Sequence, residues 1–149
     1  MSTKGESPEF VQTSLAGAMA MGLMPGKFQR NAQCGCLNLL ETYADGCKAS
    51  CSYCGLARNR NSEAQATFIR VKWPTYPLGE IVSRVQTRPH PFRRVCVSMV
   101  THRRALDDAC AIISGVRENT GLPVSGLLSP TVMAGLRDLE RIRRAGADR

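Results

Sequence analysis

Val95-Cys96-Val97-Ser98-Met99-Val100 is followed by a helical stripe at Ala105, Ala109, Ile112 and Val116, and then by Val124-Ser125-Gly126-Leu127-Leu128. Short apolar runs separated by amphipathic segments of helix length predict βαβ units and a parallel sheet. Working outward, Leu37 to Thr42 is an earlier apolar run fitting a buried strand, and Thr67 to Trp73 is strand-like before a break at Pro74 to Pro77. Leu78, Ile81, Val82 and Val85 mark one face of a helix that Pro89 stops. Thr120-Gly121 closes the helix after Ala105, whose Arg and Asp residues take the face opposite the stripe. Ser129-Pro130-Thr131 starts a last helix in which Val132, Leu136, Leu139 and Ile142 face one way until Ala145-Gly146. Near the amino terminus, Ser7-Pro8-Glu9 reads as a cap, a first-turn Pro and an early acid, with Val11, Leu15, Ala18 and Gly22 at helical spacing. Residues 1–8 are expected to be disordered, and 9–149 to form one α/β unit.

Within the strands, parity divides Val95, Val97 and Met99 from Cys96, Ser98 and Val100. The polar set is expected to look away from the helices, joined by Asn38, Thr42, Ser125 and Ser129 from neighbouring strands. Small polar groups would then line a cavity near the strands' carboxyl ends, where α/β folds bind ligands.

The chain has 149 residues, 43% hydrophobic and 21% charged, which places it among globular proteins rather than disordered ones. Its basic surplus of +8 comes from sixteen Arg and four Lys that are scattered along the chain, so the nucleic-acid arm that a clustered run would suggest is not expected. The polar, acidic opening and the short apolar stretch from Leu15 to Met24 predict neither a signal peptide nor a membrane span, and hence a cytosolic protein. Disulfides are rare there, so seven cysteines suggest metal ligation or catalysis. Three of them, Cys47, Cys51 and Cys54, form C-x3-C-x2-C in a loop between Gly46 and Gly55, directly after the first strand. A structural zinc site needs four ligands. Three thiolates instead suit a cubane [4Fe–4S] cluster with one iron left open, and the alternatives are a zinc site completed by Cys34 or Cys36 and plain unligated thiols.

This motif, with Tyr53 as the aromatic before the third Cys, resembles that of the radical S-adenosylmethionine (SAM) superfamily. Asn38 to Cys47 together with Cys54-Gly55-Leu56-Ala57-Arg58 is similar to the biotin-synthase-related branch. Phe68 to Pro77, Ser98 to Arg104 and Leu127 to Thr131 are similar to radical SAM subunits of two-component lipoyl synthases, so the likeness runs over nearly the whole chain from Glu9. It implies the amino-terminal part of a (β/α) barrel, three to four βα units preceded by a helix and truncated relative to a full barrel of about 250 residues. It also implies a transferase that uses a [4Fe–4S] cluster and SAM to generate a 5′-deoxyadenosyl radical, for sulfur insertion into an octanoyl chain or related biotin-synthase-like chemistry.

By the same resemblance Cys47, Cys51 and Cys54 would ligate the cluster and Tyr53 would pack by the adenine. Ser98, Met99, Val100 and Thr101 occupy the strand end where the family commonly holds the SAM amino group with a glycine-rich motif. That motif is absent, so backbone groups would serve. Cys96 falls where an auxiliary iron–sulfur cluster has a ligand, its bland reading being a buried small thiol. No catalytic residue is assigned, and Cys34, Cys36 and His102 receive no role; Cys110 reads as core. Implied partners are an acyl-carrier-type protein substrate, a second radical SAM subunit and a ferredoxin- or flavodoxin-type electron donor, with no membrane and no nucleic acid. The competing reading is a truncated, catalytically incompetent fragment that binds an iron–sulfur cluster or zinc.

Overall fold

Residues 5–59 and 71–149 are described by the computed structural model of the chain. The three apolar runs become parallel strands: β2 at Cys36–Glu41, β4 at Arg94–Ser98 and β5 at Val124–Leu127. Two short strands extend the sheet, β1 at Phe10–Thr13 and β3 at Thr75–Pro77, in the spatial order β3-β1-β2-β4-β5. β1 runs antiparallel to both β2 and β3, while β2, β4 and β5 are mutually parallel. The fold is therefore α/β, with a mixed five-stranded open sheet.

Side-chain parity falls as the alternation requires. Asn38 lies beside Cys96 and Cys96 beside Ser125 in register, and these three are half-buried on one face. Leu37, Leu39, Val95, Val97 and Val124 take the other face and are fully buried. Against that apolar face pack α2 (Leu78–Thr87) through Ile81 and Val85, and α3 (Ala105–Thr120) through Ala105, Ala109, Ile112, Ile113 and Val116. Removing this surface from water is the main stabilising term of the fold. α3 ends on Gly121, whose φ of +66° is the left-handed cap that glycine adopts without penalty.

Several expectations need correction. Ser7-Pro8-Glu9 starts no helix: Phe10–Thr13 is a strand whose Val11 and Thr13 are buried, and the helix that follows, α1 at Leu15–Ala20, is capped by Ser14 accepting from the Gly17 N–H. Residues 1–4 of the expected disordered stretch lie outside the described residues. Ser7 is instead 1% exposed, donating to the Phe10 carbonyl and accepting from the Thr42 N–H. Of the expected strand at 67–73, residues 67–70 lie outside the described residues and 71–73 form none, whereas the expected break contains β3.

At the other end, Pro130–Val132 is only a 3-10 turn, and α4 begins after Gly135, at Leu136–Arg144. Ile142 alone of its expected stripe is buried; Leu136 is 78% exposed. Beyond α4, Ala147 forms an isolated parallel bridge with Val124. Asp108, expected on the open face of α3, is buried. No helix among the described residues is long and apolar enough to cross a membrane.

Candidate functional site

Where β2 ends at Glu41, the chain turns into the cysteine-bearing loop. Tyr43 to Gly46 makes a tight turn in which the Gly46 N–H donates to the Tyr43 carbonyl at 3.1 Å, with Gly46 at φ +68°. Glycine suits a position in this left-handed region. Lys48 ion-pairs with Asp45 at 2.8 Å across the same turn. The loop is then tied to the end of β4: the Lys48 N–H donates to the Thr101 carbonyl at 2.7 Å, and the Thr101 N–H donates to Cys47 Sγ at 3.4 Å. Further along, the Arg58 N–H reaches back to the Ala49 carbonyl at 2.8 Å and its guanidinium to Ser50 Oγ at 2.8 Å, closing the loop on itself.

Cys47 and Cys54 are half-buried and Cys51 is exposed. Among the described residues no group of three or more His, Cys, Asp or Glu side chains is arranged to hold a metal ion. A single zinc needs its four donors in one coordination sphere. Cysteines of a cubane each bind a different iron and stand farther apart, so a three-thiol loop with no histidine or carboxylate between Gly46 and Gly55 fits a cluster in its donor chemistry better than zinc. The N–H donated to Cys47 Sγ is of the kind that tunes cluster sulfurs. Cys34 and Cys36 stand at the start of β2, roughly 20 Å of strand from the loop. As folded, neither completes a site with Cys47, Cys51 and Cys54.

Above the sheet's carboxyl edge lies a cavity of about 650 Å³, lined among others by Glu41, Tyr43, Cys47, Leu56, Thr75 and Val100. Glu41 is 2% exposed. One of its oxygens accepts the Val100 N–H at 3.0 Å; the other is buried without a hydrogen-bond partner. Burial disfavours the charged form and pushes the carboxyl up to about 8, so Glu41 holds a proton at neutral pH. Beside it, Tyr43 donates its hydroxyl to Asp108 Oδ2 at 2.8 Å. The Tyr43 ring stacks on His102 with centroids 3.7 Å apart, and Arg104 lies 5.0 Å from the ring centroid. His102 Nε2 reaches Asp45 Oδ1 at 3.2 Å, and Arg104 pairs with Glu6 at 2.7 Å. Burial also raises Asp108 above the usual carboxylate range. This network braces the underside of the cysteine loop.

The other expected residues fall as follows. Ser98, Met99 and Val100 are buried at the end of β4, and their neighbouring amides are already used: Met99 N–H donates to the Leu127 carbonyl, Val100 N–H to Glu41, Thr101 N–H to Cys47. The Thr101 hydroxyl meets those of Ser129 and Thr131 at 3.0 and 2.9 Å. Val100 lines the cavity; Tyr53 is 84% exposed and is not part of its lining, Tyr43 taking the aromatic position there. Cys96 lies away from the loop, its Sγ 2.7 Å from that of Cys36. Cys110, on α3, is half-buried and packs against the core.

Glu41, Tyr43, Asp108 and the Cys36–Cys96 pairing escape sequence reasoning, because each depends on strands and helices distant in the chain meeting in space. Parity puts Cys36 and Cys96 on one face of the sheet, but their meeting needs the β2–β4 register as well. Neither protein-family models, curated proteins nor solved structures yield a match to the chain.

Proposed function

We propose that this chain is a radical SAM protein of the lipoyl- or biotin-synthase type, with Cys47, Cys51 and Cys54 holding a [4Fe–4S] cluster. The observation that carries the reading is the three-thiol loop leaving the carboxyl end of the first parallel strand, anchored through Lys48 and Cys47 to Thr101 at the end of the second. Helices on one sheet face and small polar groups on the other are what one wall of a (β/α) barrel would present, and α/β folds bind ligands at this edge.

When bound with SAM, the cluster would supply the electron that splits the sulfonium and gives a 5′-deoxyadenosyl radical. The chain's own contribution is positional. Thr101 and Lys48 tie the loop to the end of β4, the Thr101 N–H polarises the Cys47 sulfur, and Glu41, Leu56 and Val100 line the cavity beside it. The neutral Glu41 carboxyl adds no charge to the cavity wall. Sulfur insertion into a carrier-bound octanoyl chain is the substrate reading that the sequence resemblance favours. A second radical SAM subunit and a ferredoxin- or flavodoxin-type donor are the partners it proposes.

Anaerobic reconstitution with iron and sulfide tests this directly. The expected product is brown, carries about four irons per chain, and on reduction with dithionite in the presence of SAM releases 5′-deoxyadenosine. Cys54→Ala should lose the iron while remaining folded. One zinc and no iron would overturn the cluster; a cluster that forms without any 5′-deoxyadenosine would favour a non-catalytic iron–sulfur binder.

A further inference from the structure

At the amino-terminal end of the parallel strands, well away from the loop, two thiols face one another. Cys36 opens β2 and Cys96 sits in the middle of β4, and their Sγ atoms are 2.7 Å apart on the face of the sheet that the helices leave free. A disulfide bond is about 2.0 Å long, so the two sulfurs already stand within bond-forming reach of one another. Both side chains are half-buried and neither is in a disulfide. We infer that Cys36 and Cys96 form a second, redox-active site: a dithiol that low-molecular-weight disulfides convert reversibly to a Cys36–Cys96 disulfide joining β2 to β4. This goes beyond the proposed radical chemistry and does not rest on it.

Register sets the character of that bond. The lateral partner of Cys96 is Asn38, two residues past Cys36, so the pair is diagonal. Parallel strands lie about 4.8 Å apart and rise about 3.3 Å per residue, so the Cα atoms of this diagonal pair stand about 8 Å apart, past the limit of about 7 Å for a bridge without backbone movement. Closing the bond therefore draws the start of β2 toward the middle of β4, and a bond held under such tension is readily reduced, as labile and regulatory disulfides are. Cytosolic disulfides, where they occur, are of this transient kind.

The step balances simply. A thiolate from one cysteine attacks the oxidant's disulfide and releases one small thiol; the second cysteine displaces the other, and two protons leave. The protein loses two hydrogens and the oxidant gains them.

Titrating the full chain with mixtures of reduced and oxidised glutathione, followed by acid quench, alkylation and tryptic mass mapping, tests the proposal. The expected product links the peptide Asn31–Lys48 to Val95–Arg103, lighter by two hydrogens, with fragmentation assigning the bridge to Cys36. Dithiothreitol should reverse it, Cys36→Ser should abolish it, and Cys34→Ser should leave it. A bridge from Cys34 or Cys47 to Cys96, separate glutathione adducts on Cys36 and Cys96, or no linked peptide even in the most oxidising mixture would each overturn it.

Discussion

Replacing Glu41 with Gln should make the protein more stable at alkaline pH and cost it about 1 kcal/mol in acid. The carboxyl is buried at the carboxyl end of β2, with one oxygen accepting the Val100 N–H and the other unpartnered. Its folded value of about 8 stands against 4.5 for the free group. Between those two values the unfolded chain has released a proton that the folded one keeps, so stability falls as pH rises, by about 1.4 kcal/mol per unit. The burden is absent below the lower value, reaches on the order of 3 kcal/mol at neutrality, and levels off at roughly 4–5 kcal/mol above the upper one.

In the Glu41→Gln variant the side-chain amide oxygen would accept the same Val100 N–H, and no titrating proton would remain. The amide leaves one buried donor site unfilled, a cost of about 1 kcal/mol that does not vary with pH. Urea unfolding of wild type and Glu41→Gln at pH 5, 6, 7, 8 and 9 reads the difference directly. It should swing toward the variant with the slope above and flatten near pH 8. A difference independent of pH would show that Glu41 titrates as an ordinary carboxyl. One that grows in favour of wild type would show an ionised Glu41 held by a partner, and either result refutes the reasoning.

Tyr43→Phe removes the hydroxyl that donates to Asp108 at 2.8 Å and leaves Arg104, at 3.7 Å, as the nearest cation. A loss of about 1–3 kcal/mol in unfolding free energy from denaturant titration is expected, since a buried acceptor is stranded while the stacking on His102 survives. At Gly121 a methyl group would meet nothing within 4 Å, yet φ is +66°. Gly121→Ala should therefore cost about 1 kcal/mol through the backbone alone, visible as a lowered Tm without any change in secondary-structure content.

What could be read from the sequence followed from local periodicity. β2, β4 and β5 and the stripes of α2 and α3 emerge where predicted because a two-residue or 3.6-residue period is imposed by one buried face. At the amino terminus two periods overlapped: Val11, Leu15 and Ala18 fit a helix, while Phe10-Val11-Gln12-Thr13 also alternates. Pairing with β2 decided for the strand, a long-range gain that local spacing does not register. β3 hid inside a Pro-bounded segment because it is a three-residue edge strand, where Pro is tolerated. The last helix starts later than its spacing suggests because Gly135, with φ +142°, separates the turn at Pro130 from α4, and Leu136 at its start is exposed. At the candidate site the cysteine loop was legible from its spacing, and its location at the strand's carboxyl edge from the order of elements. The tie to Thr101 and the Glu41, Tyr43 and Asp108 network were not, since they join residues about sixty positions apart through strand register and the pitch of α3.

Thr101 makes three separate attachments: its N–H to Cys47 Sγ, its carbonyl to Lys48, and its hydroxyl to Ser129 and Thr131. Its amide proton is in consequence a built-in gauge. A sulfur acceptor that loses its own proton or takes up a metal draws that N–H differently, so the Thr101 resonance and exchange rate would report the chemical state of Cys47. The same residue would carry any displacement of the Ser129–Thr131 turn back to the loop, making the two a single mechanical unit.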